Sequence, residues 1–164
     1  MTQGQAIAAE LQYLQAATRT LLERVPADKL TWKPHEKSMT LGRLAMHVAE
    51  LPHWIVKSFE MPEFDFVTAG LVPNVPTEQA QIPAMLDDIW PKALAHLNNA
   101  SDADLAVIWT MRRGEHVIWS MTRANMAKHH IKHMVHHRGQ LSVYLRLLDV
   151  PIPELFGPTA DTRR

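Results

Sequence analysis

The chain has 164 residues, ten histidines and no cysteine, and its 17 lysines and arginines balance 17 aspartates and glutamates. That length suits one domain over residues 1–164, and the ordinary share of apolar residues excludes a disordered or fibrous chain. Neutral charge leaves no electrostatic footprint for nucleic acid or an anionic membrane, and the missing cysteine excludes disulfides, thiolate metal sites and a cysteine nucleophile.

The N-terminus lacks a basic stretch followed by an apolar core, so no secretory signal is expected. Ile7, Leu11, Leu14, Leu21 and Val25 keep helical spacing and predict an amphipathic helix over Gln5–Arg24, ended by Pro26. Residues 26–39 read as a connection anchored by Trp32. Thr40 is a candidate N-cap for a second helix reaching about Phe59. On it Leu44, His47, Val48, Leu51 and Trp54 share a face, and Pro52 is expected to bend it.

Residues 61–77 hold Pro62, Pro73, Pro76 and Gly70 and read as a connection, longer than the roughly 2–8 residues usual between helices. Such a length can cross the end of a bundle. A third helix is predicted from after Thr77 to about Asn98, with Ile82, Met85, Leu86, Ile89, Ala93 and Leu97 as its stripe and a kink at Pro91. Residues 101–118 are compatible with a short hairpin or with irregular backbone. A fourth helix is predicted from Met121 to Leu148. Pro151 and Pro153 stop it, and the tail is expected to be irregular. No stretch approaches the roughly 18 apolar residues of a membrane span. The fold class expected is all-α, a four-helix bundle.

Five of the ten histidines fall between His129 and His137. At about 100° per residue, His133 and His137 sit one turn apart on one helix face. An i, i+4 pair of this kind can grip a metal ion, although no glutamate completes a protease-type HExxH motif. Met126, Leu141, Tyr144 and Leu148 share the face, so the pair points inward. His47, on the apolar stripe of the second helix, is the natural third partner. Three imidazoles would leave a coordination position open for water or substrate. The competing reading is that each is a satisfied core histidine. His129 and His136 lie on the shoulder of the face and His130 within it. Glu50, Asp87 and Asp88 read as solvent-facing charges, and Arg112-Arg113 as a solvated loop. No phosphate loop or nucleophile elbow is present.

The segment HMVHHRGQLSVYLRLLDVPIPELFGPTADT resembles the C-terminal signature of the DinB-like (DinB/YfiT-like) putative metalloenzyme family, and KSMTLGRLAMHVAELPHW resembles its second-helix motif. The resemblance implies a four-helix bundle of up-down-down-up topology, with a long connection between the second and third helices. It implies a divalent metal, nickel or zinc foremost and iron or manganese next, held by His47, His133 and His137. His129, His130 and His136 are not ligands in the motif. The chain closes GPTADT where relatives tend to GPSADE, so an acid is lost at Thr162.

Family members are often homodimers, and some are similar to thiol S-transferases or isomerases that use low-molecular-weight thiols. The expected function is therefore a cytoplasmic, metal-dependent enzyme acting on a small electrophilic substrate. Its partner would be a low-molecular-weight thiol, with no nucleic acid and no membrane. Metal-assisted hydrolysis and a non-catalytic, stress-related metal-binding dimer are the alternatives. Any sulfur at the metal must arrive with the substrate, because the chain has no cysteine.

Overall fold

The structure is a computed structural model and describes residues 1–70 and 72–162; Leu71 within the connection and Arg163–Arg164 of the tail lie outside it. Helix α1 runs Gln3–Glu23 and buries Ile7, Leu11, Leu14 and Leu21. It starts two residues before the expected one because Thr2 and Gln5 cap each other reciprocally. Gln5 N donates to Thr2 Oγ1 at 3.2 Å, and Thr2 N donates to Gln5 Oε1 at 2.9 Å.

The expected second helix is divided into α2 (Leu41–Glu50) and α3 (His53–Glu60). Thr40 caps α2, accepting from Arg43 N at 3.3 Å. At the division Pro52 has no N–H for the carbonyl of Val48, and its ring crowds the preceding turn. Trp54 N then bonds Leu51 O at 3.2 Å and Ile55 N bonds Pro52 O at 3.1 Å, which starts the second rod. At the bend expected at Pro52 the helical hydrogen bonds are interrupted, while Leu51 (φ −57°, ψ −36°) and Pro52 (φ −61°, ψ −16°) keep right-handed helical backbone.

Helix α4 is the single turn Phe66–Ala69, and α5 runs Gln81–Asn99 with Pro91 inside it. Pro91 lies on the exposed face beside exposed Asp87 and Asp88, where water can satisfy the carbonyl that proline leaves free. Helix α6, Asp102–Ala106, is one turn capped by Ser101. The long helix α7 runs Arg123–Leu147 from an N-cap at Thr122. Helices α2 and α3 pack against α5 and α7, and α1 packs against the same two.

The all-α expectation needs one correction. Most of the chain is helical, but β1 (Glu63–Asp65), β2 (Ile108–Arg113) and β3 (His116–Thr122) form a three-stranded sheet in the order β1-β2-β3. Strands β2 and β3 are the antiparallel hairpin left open above, pairing Ile108 with Thr122 and Arg113 with His116. Gly114 opens its turn with φ +59°, a conformation that costs other residues energy. Strand β1 comes from the connection 61–77 and pairs parallel to β2, with Phe64 opposite Met111. Phe64, Trp109, Met111 and Met126 form a separate apolar cluster under the sheet, beside the main helical core. Among the described residues no helix is long and apolar enough to cross a membrane.

The tail is irregular, as expected, but it is fastened. Asp161 pairs with Arg146 and accepts from Ile152 N at 2.8 Å, while Thr159 Oγ1 donates to Ile152 O at 2.8 Å. Thr162, standing where relatives tend to carry an acid, accepts from Thr159 N at 2.8 Å.

Candidate metal centre

Helix α2 presents His47 towards the turn of α7 that carries His133 and His137. The three ring centroids are separated by 4.6 to 5.2 Å, and one ligand nitrogen of each lies within 4.8 Å of the others. His47 and His133 are half-buried and His137 is buried. The structure therefore brings together the three residues expected from the sequence, in a group that can hold a metal ion.

The hydrogen bonds around the group bear on whether a cation fits. His137 Nδ1 lies 2.7 Å from Gln140 Oε1. His47 Nδ1 lies 3.2 Å from Glu50 Oε1, and Arg43 Nη2 holds the same oxygen at 2.7 Å. An amide oxygen and a carboxylate only accept, so both imidazoles are assigned the tautomer with the proton on Nδ1. Their Nε2 lone pairs are then free. His137 Nε2 faces His133 Nε2 at 2.8 Å, and His133 Nδ1 is buried without a partner. Two imidazole nitrogens at that separation need a proton or a cation between them. This donor set fits a borderline metal, and oriented outer nitrogens are what ligating histidines usually show.

Electrostatics act in the same direction. Burial, and then the neighbouring imidazoles His137 and His47, push the His133 pKa down to about 4. Burial also lowers His137, against the hydrogen bond its Nδ1–H donates to Gln140. Both are neutral at neutral pH, the form a metal ion requires.

The remaining α7 histidines divide. His136 is exposed. His130 is buried to 2% exposure, neither ring nitrogen has a partner, and burial pushes its pKa down to about 3. His129, His130 and His133 form a second group with nitrogens within 4.8 Å of one another, which excludes His47 and His137. Glu50 is a correction: expected to face solvent, its side chain is 20% exposed and bonds both Arg43 and His47. The spacing of Arg43, His47 and Glu50 at four and three residues carried that signal. Asp88 does face solvent beside Lys92, and Asp87 pairs with Arg19 at the surface. Arg112 and Arg113 end a strand instead of forming a loop.

A cavity of about 740 Å³ opens beside the group and is lined by His47, His133 and His130. Its apolar walls include Trp54 from α3, Phe66 from α4 and Trp119 from β3, and Arg113 also lines it. The sheet therefore builds one side of the pocket. That size is in the range of small-molecule sites.

Comparison with known proteins gives a consistent result. The sequence profile of the DinB family matches residues 1–159. The chain is 24% identical to the uncharacterised protein YrdA of Bacillus subtilis, over 88% of this chain and 83% of that protein. Its fold is similar to that of a DinB-like protein of Bacillus cereus, with a TM-score of 0.69 at 21% identity over 93% of this chain and 97% of that one. A member of the same family from Exiguobacterium sibiricum gives a TM-score of 0.71 at 18% identity, covering 94% and 97% of the respective chains.

Proposed function

The chain belongs to the DinB family, and on that premise we propose that it is a metal-dependent enzyme whose divalent ion is held by His47, His133 and His137. The observation that carries the reading is the 2.8 Å approach of the His133 and His137 Nε2 atoms, with His137 and His47 turned by Gln140 and Glu50. The family resemblance favours nickel or zinc, with iron and manganese next, and imidazole ligands by themselves suit zinc, nickel, copper and iron alike. When bound, such an ion polarises a substrate atom, or stabilises a water or thiol in its deprotonated form.

The chain's own residues have defined parts. Glu50 and Gln140 fix the His47 and His137 rings. Trp54 and Trp119 exclude water from one side of the cavity and seat the apolar part of a substrate. The favoured reaction is thiol-dependent S-transfer to a small electrophile, with a low-molecular-weight thiol supplying the sulfur that a cysteine-free chain lacks. Hydrolysis at the same site is the alternative chemistry. A fourth protein ligand, His130 for example, would favour a non-catalytic, stress-related metal-binding role. His130 groups with His129 and His133 and not with His47 and His137, which favours an open position. We also read α1, α2–α3, α5 and α7 as an up-down-down-up bundle, and the protein as a cytoplasmic homodimer without nucleic-acid or membrane partners.

Metal content and thermal unfolding, measured with and without zinc or nickel, test the site. A saturating ion at about 100 times Kd adds about 2.7 kcal/mol to stability, and His133→Ala should abolish that gain. Unchanged metal content in His133→Ala overturns the ligand assignment. The metal-loaded protein should then turn over an electrophile panel only when a thiol is supplied. Turnover without thiol moves the reading to hydrolysis, and no turnover at all removes the enzyme reading.

A further inference from the structure

The cavity beside the histidines is electrically lopsided. Four non-histidine charges line it: Arg43, Lys57, Arg113 and Glu50. Arg43 and Glu50 neutralise each other at 2.7 Å. Among the described residues Lys57 and Arg113 pair with no carboxylate, although the chain as a whole is neutral. Asp65 of β1 accepts from the backbone N–H groups of Val67 and Gly114 at 2.9 Å each, and acts on Arg113 through space without forming an ion pair with it.

The two free cations are also held in place. Lys57 Nζ stands 5.0 Å from the Phe64 ring centroid and the Arg113 guanidinium 5.3 Å from that of Phe66, and those two rings lie 5.1 Å apart. Aromatic faces attract cations and fix them without neutralising their charge. A continuous run of rings then leads inward. Trp54 lies 4.9 Å from Phe64, His130 lies 5.9 Å from Trp54, and His133 lies 6.0 Å from His130. Phe64 lies buried behind this run, while Trp54, Phe66, His130 and His133 line the cavity together with Lys57 and Arg113, so one ligand can meet positive charge, apolar rings and the histidine group.

We propose that the cavity selects small organic anions with an apolar or aromatic body, and that Arg113 and Lys57 hold the carboxylate or similar anionic group at its mouth. This names the substrate class of the site described above and rests on that reading only in taking the cavity as the place where substrate binds.

Naphthoate and its neutral isostere naphthamide test the proposal, titrated into chelator-treated full-length protein and followed by tryptophan fluorescence, since Trp54 and Trp119 line the cavity. Working without metal isolates the two cations from carboxylate ligation. Naphthoate should bind about tenfold more tightly than naphthamide, a preference that weakens with added salt. The double variant Lys57→Gln, Arg113→Gln should bring the ratio to about one while leaving naphthamide binding unchanged, which also shows that the pocket is intact. Arg113→Lys should keep most of the preference. Equal binding of acid and amide in the wild type, no binding of either, or a preference that survives the double variant each overturns the proposal. Zinc titration of the same proteins separates the two readings. Acid selectivity without metal uptake keeps this inference and removes the metal, and the reverse result does the opposite.

Discussion

Glu50→Gln is the substitution that most directly probes the histidine centre, because it changes the metal's surroundings without removing a ligand. The wild-type carboxylate oxygen lies 3.2 Å from His47 Nδ1 and 2.7 Å from Arg43 Nη2. Glutamine keeps the shape and can still accept a hydrogen bond, but it loses the negative charge that raises imidazole basicity. It also leaves the Arg43 guanidinium, 3.4 Å from His47 Nδ1, uncompensated next to a divalent cation. Loss of an outer partner typically costs about 10- to 100-fold in metal affinity, or about 1.4–2.8 kcal/mol, and the added repulsion places Glu50→Gln near the upper end.

The stability of the metal-free protein should change by no more than about 1 kcal/mol, since the pair is partly solvated. Competition titration against a chelator of known zinc affinity measures the first quantity, and urea unfolding measures the second. Adding Arg43→Met to the Glu50→Gln background should recover part of the affinity, because the offending charge is gone. Wild-type zinc affinity in Glu50→Gln, alongside a large loss in His47→Ala, would refute the orienting role and reduce Glu50 to a surface ion pair.

Two glycine substitutions should move stability in opposite directions. A Cβ on Gly4 would lie 2.2 Å from the Leu97 carbonyl oxygen, where α1 meets α5, so Gly4→Ala should cost about 1–3 kcal/mol. Nothing lies within 4 Å of a Cβ on Gly139, in the middle of α7, and Gly139→Ala should add about 0.5–1 kcal/mol. Urea midpoints that shift in the same direction for both would contradict the packing described. Acid should weaken the metal-free fold. His130 falls from its ordinary 6.5 to about 3 and His133 to about 4, so the folded chain binds fewer protons than the unfolded one across that interval. Stability is thus complete above about pH 6.5 and declines below it, by up to about 1.4 kcal/mol per pH unit for each group. Replacing His130 with Phe should shallow that decline between pH 6 and pH 5, and an unchanged slope would show that His130 is not the group responsible.

What could be read from the sequence had a common physical basis. Helical spacing of apolar residues located α1, α5 and α7, because the period of a buried face survives in one dimension. The same period placed His47, His133 and His137 on inward faces. The sheet was harder. Strand β1 is three residues long and pairs with a strand more than forty residues later, so its partner leaves no local mark. The hairpin was visible only as an alternative. Pro52 and Pro91 show why one residue type has two outcomes. The first is buried beside Leu51 and interrupts the helical hydrogen bonds, and the second sits on the wet side of α5 within a helix assigned without interruption. Glu50 reads as ordinary surface because a charged helical residue usually faces water, and its spacing from Arg43 and His47 on the same helix is the one mark of its half-buried place.

The interruption at Leu51–Pro52 divides one stretch of sequence into two successive mounts. Arg43, His47 and Glu50 ride on the rod before the joint; Trp54 and Lys57 ride on the rod after it. The joint therefore works as a ruler, setting how far the His47 imidazole stands from Lys57 along the cavity wall. A continuous helix would lock those groups at a fixed rise and rotation. With the joint, substitutions at Leu51 or Pro52, neither of which carries any chemistry, can retune the length of ligand that spans the two ends.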